Sequence, residues 1–430
     1  MFQQYSLSKK ILTALLFLSL STFFGFNVAE AGILSINQTD SLISISGVVL
    51  GENGEKLPYA AISVEKSNLS TVTNAEGEFL LKIPASYVQR NILISYLGYE
   101  NLKIPVTSLQ NQGNKLRLQS APLSLPALEV ISKDPDMVIR TMMDNRLKNY
   151  SSKEMLMTAF YRETIKKRNT NVSLAEAIAE VCKRAYNSNQ SDMVSLFKSR
   201  KSTNYHKLDT LVFKLMGGPF NNIYLDVMRY PDIVFTDKIF DNYQFTFLKT
   251  DHIEDRLMYV ISFKQLPHAV SPLYYGNLYI DAETYALAKA DFNMNLENNE
   301  EATQMFVRKK PFNAKVSTTK AHFVVDYRLI GDKWFYSYSR VDLNMKIDWR
   351  KKLFNTYYNS NIEMAATDWT ENFDPKIFKT KDKISSNVII QDEASGFADS
   401  QFWGEYNIIE PDKSIENAIN KIIKQLRKNK

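Results

Sequence analysis

Between residues 78 and 83 the chain alternates: Phe79, Leu81 and Ile83 are apolar, and Glu78, Leu80 and Lys82 stand between them. A period of two turns one face of an extended strand to a core and the other outward. Similar short runs recur from residue 45 to residue 99, separated by turn residues. Asn53-Gly54 and Asn74-Ala75-Glu76-Gly77 are the clearest of these. Asn suits the first turn position, and glycine accepts the positive φ of a tight reversal. Turns recurring about every 10–20 residues predict a small antiparallel β-sandwich over residues 43–120, rather than alternating strand and helix units.

The turns and strands together resemble a known family. Gly47 and Val49 open the pattern, followed by Asn53-Gly54, Pro58, Ala61 and Val64, then the run from Thr73 through Gly77 to Phe79, and finally Ser95-Tyr96-Leu97-Gly98-Tyr99. This is similar to the carboxypeptidase-regulatory-like, transthyretin-like β-sandwich, especially the copy that precedes TonB-dependent outer-membrane transporters. Gly47, Gly54, Pro58, Gly77, Phe79, Gly98 and Tyr99 carry that fold signature. One departure is Ser70, which stands where the family places glycine before the Thr-Val-Thr strand. The resemblance implies a fold and no peptidase activity.

Beyond the sandwich, residues 121–134 read as a linker stiffened by Pro122 and Pro126. Asp134-Pro135 then predicts a helix start, with Val138, Ile139, Met142, Met143 and Leu147 on one stripe. From 154 onward long aromatic-rich runs predict a larger antiparallel sheet with a few helices, spanning 135–430. The segment 173–181 fits either a strand or a helix; the alternation of Glu176, Ile178, Glu180 and Cys182 favours a strand. Residues 207–230 read as helical, broken at Gly217-Gly218-Pro219. Strands are expected over 245–248, 258–263, 276–280, 286–292, 322–329, 334–342 and 357–364. The hairpin around Ile280-Asp281 and Thr284 is similar to one in periplasmic lipoprotein-carrier half-barrels, though Asp281 and Thr284 are equally ordinary turn formers. At the end, Ser414 is the expected cap of an amphipathic helix carrying Ile415, Ile419, Ile422 and Leu426. The fold class is therefore mainly β: an N-terminal sandwich plus an antiparallel α+β domain.

Residues 1–31 have the pattern of an export signal. Lys9-Lys10 precede an apolar run over 11–26, and Ala29 and Ala31 are the small residues of a cleavage site, so the mature chain is expected to start at Gly32. A retained membrane anchor is the alternative. The chain of 430 residues has a formal net charge of only +6, which does not call for nucleic acid. The basic clusters Lys166-Lys167-Arg168, Arg308-Lys309-Lys310 and Arg350-Lys351-Lys352 lie far apart, each beside a predicted turn. They read as solvated strand ends in preference to anionic-lipid contacts. Cys182 is the sole cysteine, so stability must come from apolar cores rather than intrachain disulfides.

Catalytic motifs are sparse. The four histidines, His206, His252, His268 and His322, include no His-Glu-x-x-His, and His252-Ile253-Glu254-Asp255 puts Asp where a zinc carboxypeptidase needs Glu. A zinc set of His252, Asp255 and His322 would need the fold to bring distant positions together. There is no Gly-x-Ser-x-Gly elbow, and Gly217-Gly218-Pro219 lacks the Lys-Ser or Lys-Thr of a phosphate loop. The expectation is an exported, non-catalytic binding or assembly protein of a diderm cell envelope, in the periplasm or at the outer membrane. No cofactor or metal is expected, and the partner would be an envelope protein or lipid. The alternatives are a lipid or lipoprotein carrier using a concave sheet, and a hydrolase with an unrecognised carboxylate pair.

Overall fold

The alternating runs of the N-terminal region pair into two small sheets. Their strands are β1 (Leu42–Leu50), β2 (Ala61–Val64), β3 (Ser70–Val72), β4 (Glu78–Pro84), β5 (Asn91–Ser95), β6 (Leu102–Pro105) and β7 (Asn114–Arg117). One sheet has the order β4-β1-β7 and the other β3-β2-β5-β6. The pairing is antiparallel except for β1 with β7, a parallel pair that departs from the expected all-antiparallel sandwich. β7 reaches β1 from the opposite sheet and not through a hairpin, so nothing forces the antiparallel sense. Phe79, Leu81 and Ile83 point into a closed core with Ile45, Val49, Ile62 and Ile94. The computed structural model describes residues 41–121, 134–168, 170–203, 214–215, 217–235, 238–269, 273–309, 312–350, 353–371, 373–374, 378, 383–390, 402–417 and 419–420. The expected export signal, most of the expected linker, His206 and the last residues of the expected C-terminal amphipathic stretch lie outside these.

The turn before β4 shows how sequence sets geometry. Asn74 Oδ1 accepts from the backbone N–H of Glu76 (2.8 Å) and Glu78 (2.9 Å), closing the turn from its first position. Gly77 has φ +72° and packs against the backbone of Val49. Gly47 lies so close to β7 that a Cβ there would sit 2.3 Å from the Asn114 carbonyl oxygen.

The second region begins with the helix Pro135–Asp144, capped by Asp134, whose carboxylate accepts from the N–H of Asp136 at 3.0 Å. Val138, Ile139 and Met142 are buried. Leu147, expected on the same stripe, is half exposed: the helix stops at Asp144 and a separate turn, Arg146–Asn149, carries Leu147 outward. Ten strands then form one sheet, joined by antiparallel pairs throughout. They are β8 (Met155–Lys167), β9 (Thr170–Lys183), β10 (Met193–Thr203), β12 (Tyr243–Ile253), β13 (Arg256–Gln265), β14 (Tyr274–Asp281), β15 (Leu287–Met294), β17 (Ala314–Ile330), β18 (Lys333–Trp349) and β19 (Thr356–Thr370). Their order is β10-β9-β8-β19-β18-β17-β15-β14-β13-β12. The segment 173–181 is strand, and Ala175 and Ala179 alternate with Glu176 and Ile178 because both faces of β9 are covered.

Two short strands, β11 (Lys214–Leu215) and β16 (Val307–Lys309), pair with each other. The described part of 207–230 is therefore not one broken helix. The chain turns at Gly217-Gly218, and the short helix Phe220–Ile223 starts only after Pro219. A C-terminal helix begins at residue 413, capped by Asp412, whose Oδ1 accepts from Ile415 N–H at 2.7 Å. Ser414, the expected cap, lies inside that first turn and accepts instead from Asn171 Nδ2 at 2.8 Å.

One face of the ten-stranded sheet packs on the helices and forms the main core, including Met142, Tyr161, Val325, Trp334 and Met364. The other face is covered by the sandwich and by residues 402–412. Val72, Phe160, Ile178, Tyr338, Trp403, Ile408 and Ile409 form a third apolar cluster at that junction. Ser70 ties it together: its hydroxyl donates to the Ala366 carbonyl at 2.9 Å, a contact that the family glycine could not make. Asn407 pairs with both backbone groups of Lys82 (2.7 and 3.0 Å), covering the edge strand β4.

Candidate functional site

The sheet face under the sandwich is charged. Arg340 on β18, Glu363 on β19, Arg162 on β8, Glu176 on β9 and Arg200 on β10 are direct cross-strand neighbours, alternating in sign over five adjacent strands. Arg162 donates to Glu176 (2.7 Å) and Glu363 (3.3 Å), and Arg200 donates to the second oxygen of Glu176 (2.6 Å). Arg162 also donates to the Ile409 carbonyl at 2.7 Å, so the C-terminal segment is held by the same guanidinium. Burial works to raise the Glu176 carboxyl, but the two arginines win and hold it below the usual range. At Glu363 burial wins over Arg162 and Arg340, and its carboxyl is raised.

A second row runs beside the first. His322 on β17 donates from Nε2 to Asp291 (2.8 Å) and from Nδ1 to Asp342 (3.2 Å), while Asn361 Nδ2 donates to the other oxygen of Asp342 (2.8 Å). The hydrogen bonds to Asp291 and Asp342 push His322 up to about 9. It is therefore a fixed imidazolium at neutral pH and no general base. In Asp291 and Asp342 burial opposes ionisation, yet His322, with Arg340 and Asn361 at Asp342, holds both below the usual range.

Two cavities open between the sandwich and this face, and Tyr59 lines both. Tyr59 has φ +64°, an uncommon conformation for an aromatic residue. Its ring stacks on Tyr338 (centroids 5.9 Å apart), and the Arg340 guanidinium lies 4.1 Å from its centroid. Burial, then the charge of Glu363, pushes its hydroxyl up to about 12.

The first cavity, of about 280 Å³, has an apolar roof from Pro58, Ile62, Val72 and Leu97 and a floor that includes Lys289, Asp326, Arg328 and Arg340. Arg328 is only 8% exposed. Its Nη2 donates to the Asn68 carbonyl at 3.1 Å, and its Nη1 has no partner among the described residues. Glu254 enters from the β12–β13 turn, where Glu254 and Asp255 both have positive φ (51° and 60°). Glycine or Asn is the usual occupant of such turns, so this one is strained. Burial raises the Glu254 carboxyl, and Arg328, Asp255 and Arg256 act on it through charge alone. The second cavity, of about 380 Å³, is lined by Arg162, Lys166, Lys320, Asp342, Asn344, Asn359, Glu363 and Asp412 among others.

The fold-signature residues hold the sandwich that roofs these cavities. Pro58 lines the first directly. Phe79 lies in the sandwich core, Gly54 and Gly98 occupy turns, and Tyr99 donates to Glu55 at 2.5 Å. The conceivable zinc set is not assembled: His252 and Asp255 lie at β12 and its turn, four strands from His322 on β17. At about 4.8 Å per strand that is nearly 20 Å. Among the described residues no group of His, Cys, Asp and Glu is placed to hold a metal. His268 contacts the Asp241 carbonyl at 2.7 Å, and burial pushes the Cys182 thiol up to about 11. Asp281 and Thr284 close their own turn, with Asp281 accepting from Thr284 N–H and hydroxyl (2.7 Å each) and from Arg256.

Residues 45–131 match the CarboxypepD_reg-like domain family. The sandwich is a CarboxypepD_reg-like domain. The match runs past the last sandwich strand into the expected linker, and no curated protein matches the chain. Among solved structures, a LolA superfamily protein from Nitrosomonas europaea is 9% identical, covering 57% of this chain and 98% of its own, with a TM-score of 0.20. A DUF1329 family protein from Desulfovibrio piger is 11% identical, covering 58% and 98%, with a TM-score of 0.23. At such scores neither carries an argument about this chain. No helix among the described residues is long and apolar enough to cross a membrane.

Proposed function

We propose that the chain is an exported, non-catalytic binding protein of the cell envelope, and that its ligand occupies the cavity between the CarboxypepD_reg-like domain and the ten-stranded sheet. The observation that carries this is Arg328, a buried guanidinium with an unpartnered donor on the cavity wall. A buried unpaired donor is costly, and turning the guanidinium toward an anionic group of a ligand in the cavity would satisfy it. The apolar roof suits the rest of such a ligand, and Glu254 on the same lining suits a cationic or hydroxyl group. The charged floor favours a polar ligand over the acyl chains that a carrier of lipid would hold. Native mass spectrometry of protein isolated from its envelope should find a small bound molecule, and Arg328→Met should lose it. The same empty mass for both proteins would sink this reading.

A hydrolase reading has one observation in its favour: Glu363 is raised and Asp342 lowered on the wall of the second cavity, the separation that acid and base pairs use. Against it, Glu363 is held by Arg162 and by the Tyr338 hydroxyl at 3.4 Å, in a ladder that already has a structural task.

A further inference from the structure

Two chain reversals and the segment leading into β17 meet at one end of the ten-stranded sheet. The loop before β17 lies beside the loop between β18 and β19, joined where Arg350 N–H donates to the Asn313 carbonyl at 3.0 Å. The β8–β9 turn lies against the start of β19, where Arg168 N–H donates to the Tyr357 carbonyl at 3.3 Å. Basic residues that are far apart in sequence, Arg168 and Arg350, are thereby brought to one end of the sheet. Phe312, Leu353 and Phe354 at the same end are 94%, 96% and 81% exposed, and Tyr357 is half exposed. The Arg350 guanidinium lies 5.9 Å from the Phe312 ring centroid. Lys315 adds a further exposed cation, with Asp348 facing it across the strands.

We propose that this end of the sheet docks on an anionic lipid surface, with Phe312, Leu353 and Phe354 entering the headgroup layer and Arg168 and Arg350 contacting lipid phosphates. Single exposed apolar side chains are ordinary, but four large ones gathered at one end of the sheet, three of them almost wholly exposed, point to an interaction site. Apolar tips flanked by cations match an interface that is hydrocarbon-like below and anionic at headgroup level. A protein interface fits less well: a stable one takes about 800 Å² and 20–30 residues from each partner, whereas the apolar tip consists of a few side chains on separate segments.

The test is flotation of the full chain with phosphatidylglycerol-containing and pure phosphatidylcholine vesicles. Binding should require the anionic lipid and weaken as salt shortens the screening length from about 10 Å at 0.1 M to about 3 Å at 1 M. Replacing Phe312, Leu353 and Phe354 together by Ser should weaken binding about tenfold or more, as should Arg168→Glu combined with Arg350→Glu. All these side chains are exposed, so unchanged circular dichroism is expected for both variants. A local readout separates this surface from either terminus. In Leu353→Cys an environment-sensitive dye should attach at the new thiol, because Cys182 is buried, and its emission should shift to the blue on anionic vesicles. No vesicle binding, equal binding by the triple variant, or an unshifted dye would overturn the proposal. So would a dimer in solution that the triple variant abolishes, since the occupant would then be a second copy.

Discussion

The two regions of this protein are held together by different physics. The CarboxypepD_reg-like domain closes an apolar core free of buried charges, with Ile45, Phe79, Leu81 and Ile94 inside and its register set by turns such as Asn74 to Gly77. The ten-stranded sheet has an apolar core on one face, but its other face is registered by alternating charges from Arg340, which is part-buried, to the buried Glu363, Arg162, Glu176 and Arg200. A one-residue slip would turn every side chain of a strand to the wrong face in either region, but along the charged ladder even a two-residue slip, which keeps the face, would part each buried charge from its partner. The first region is specified locally. In the second, specification rests on partners such as Arg162 and Glu363, separated by 201 positions.

The largest expected effect breaks the ladder at its centre. Arg162→Met leaves Glu176 and Glu363 buried with one partner fewer and releases the Ile409 carbonyl. Removing one member of a buried ion pair costs about 3–5 kcal/mol, so urea unfolding should show a loss of that size. A loss below about 1 kcal/mol would mean that water replaces the guanidinium and that the ladder does not register the sheet.

That contrast also explains what could be read from the sequence. The alternation at Phe79, Leu81 and Ile83 and the turn ending at Gly77 are short-range signals, and they sufficed for the sandwich and its family. The strands of the second region were readable from their aromatic alternation, though β17 and β18 run longer than the expected 322–329 and 334–342. The candidate site was not readable. Arg162, Arg328 and Arg340 are ordinary strand residues until pairing places them on one face, and Tyr59 gives no sign of its positive φ. Ser70 was visible as a departure from the family, yet its purpose depends on Ala366.

The second row of charges makes the difference between the regions pH-dependent. His322 is raised from 6.5 to about 9 on folding. Its contribution is fully present below about pH 6.5 and is lost as pH rises through about 9. Asp291 and Asp342 are lowered, so their contributions are present at neutral pH and are lost as pH falls through the acid range. Unfolding free energy should therefore decline by about 2–3 kcal/mol between pH 6.5 and 9, and His322→Asn should flatten that decline. An equally steep slope in the variant would assign it to other groups.

The sandwich should respond to backbone strain and not to charge. At Gly77, with φ +72°, a built Cβ would lie 2.9 Å from the Val49 carbonyl oxygen and 3.2 Å from the Leu57 nitrogen, so a side chain meets backbone that cannot swing aside. Gly77→Val forces a β-branched residue into that conformation and should cost roughly 1–3 kcal/mol. Gly77→Asn should cost less, because Asn tolerates the left-handed region through its short polar side chain. The two replacements also differ in branching at Cβ, so their order of stability reports on strain and crowding together. Neither changes a charge, so their losses should be the same at pH 6.5 and pH 9, where that of His322→Asn is not. A Gly77→Val melting temperature equal to that of the parent would show that the turn does not hold glycine in the left-handed conformation, and local turn chemistry would no longer account for the register of β4.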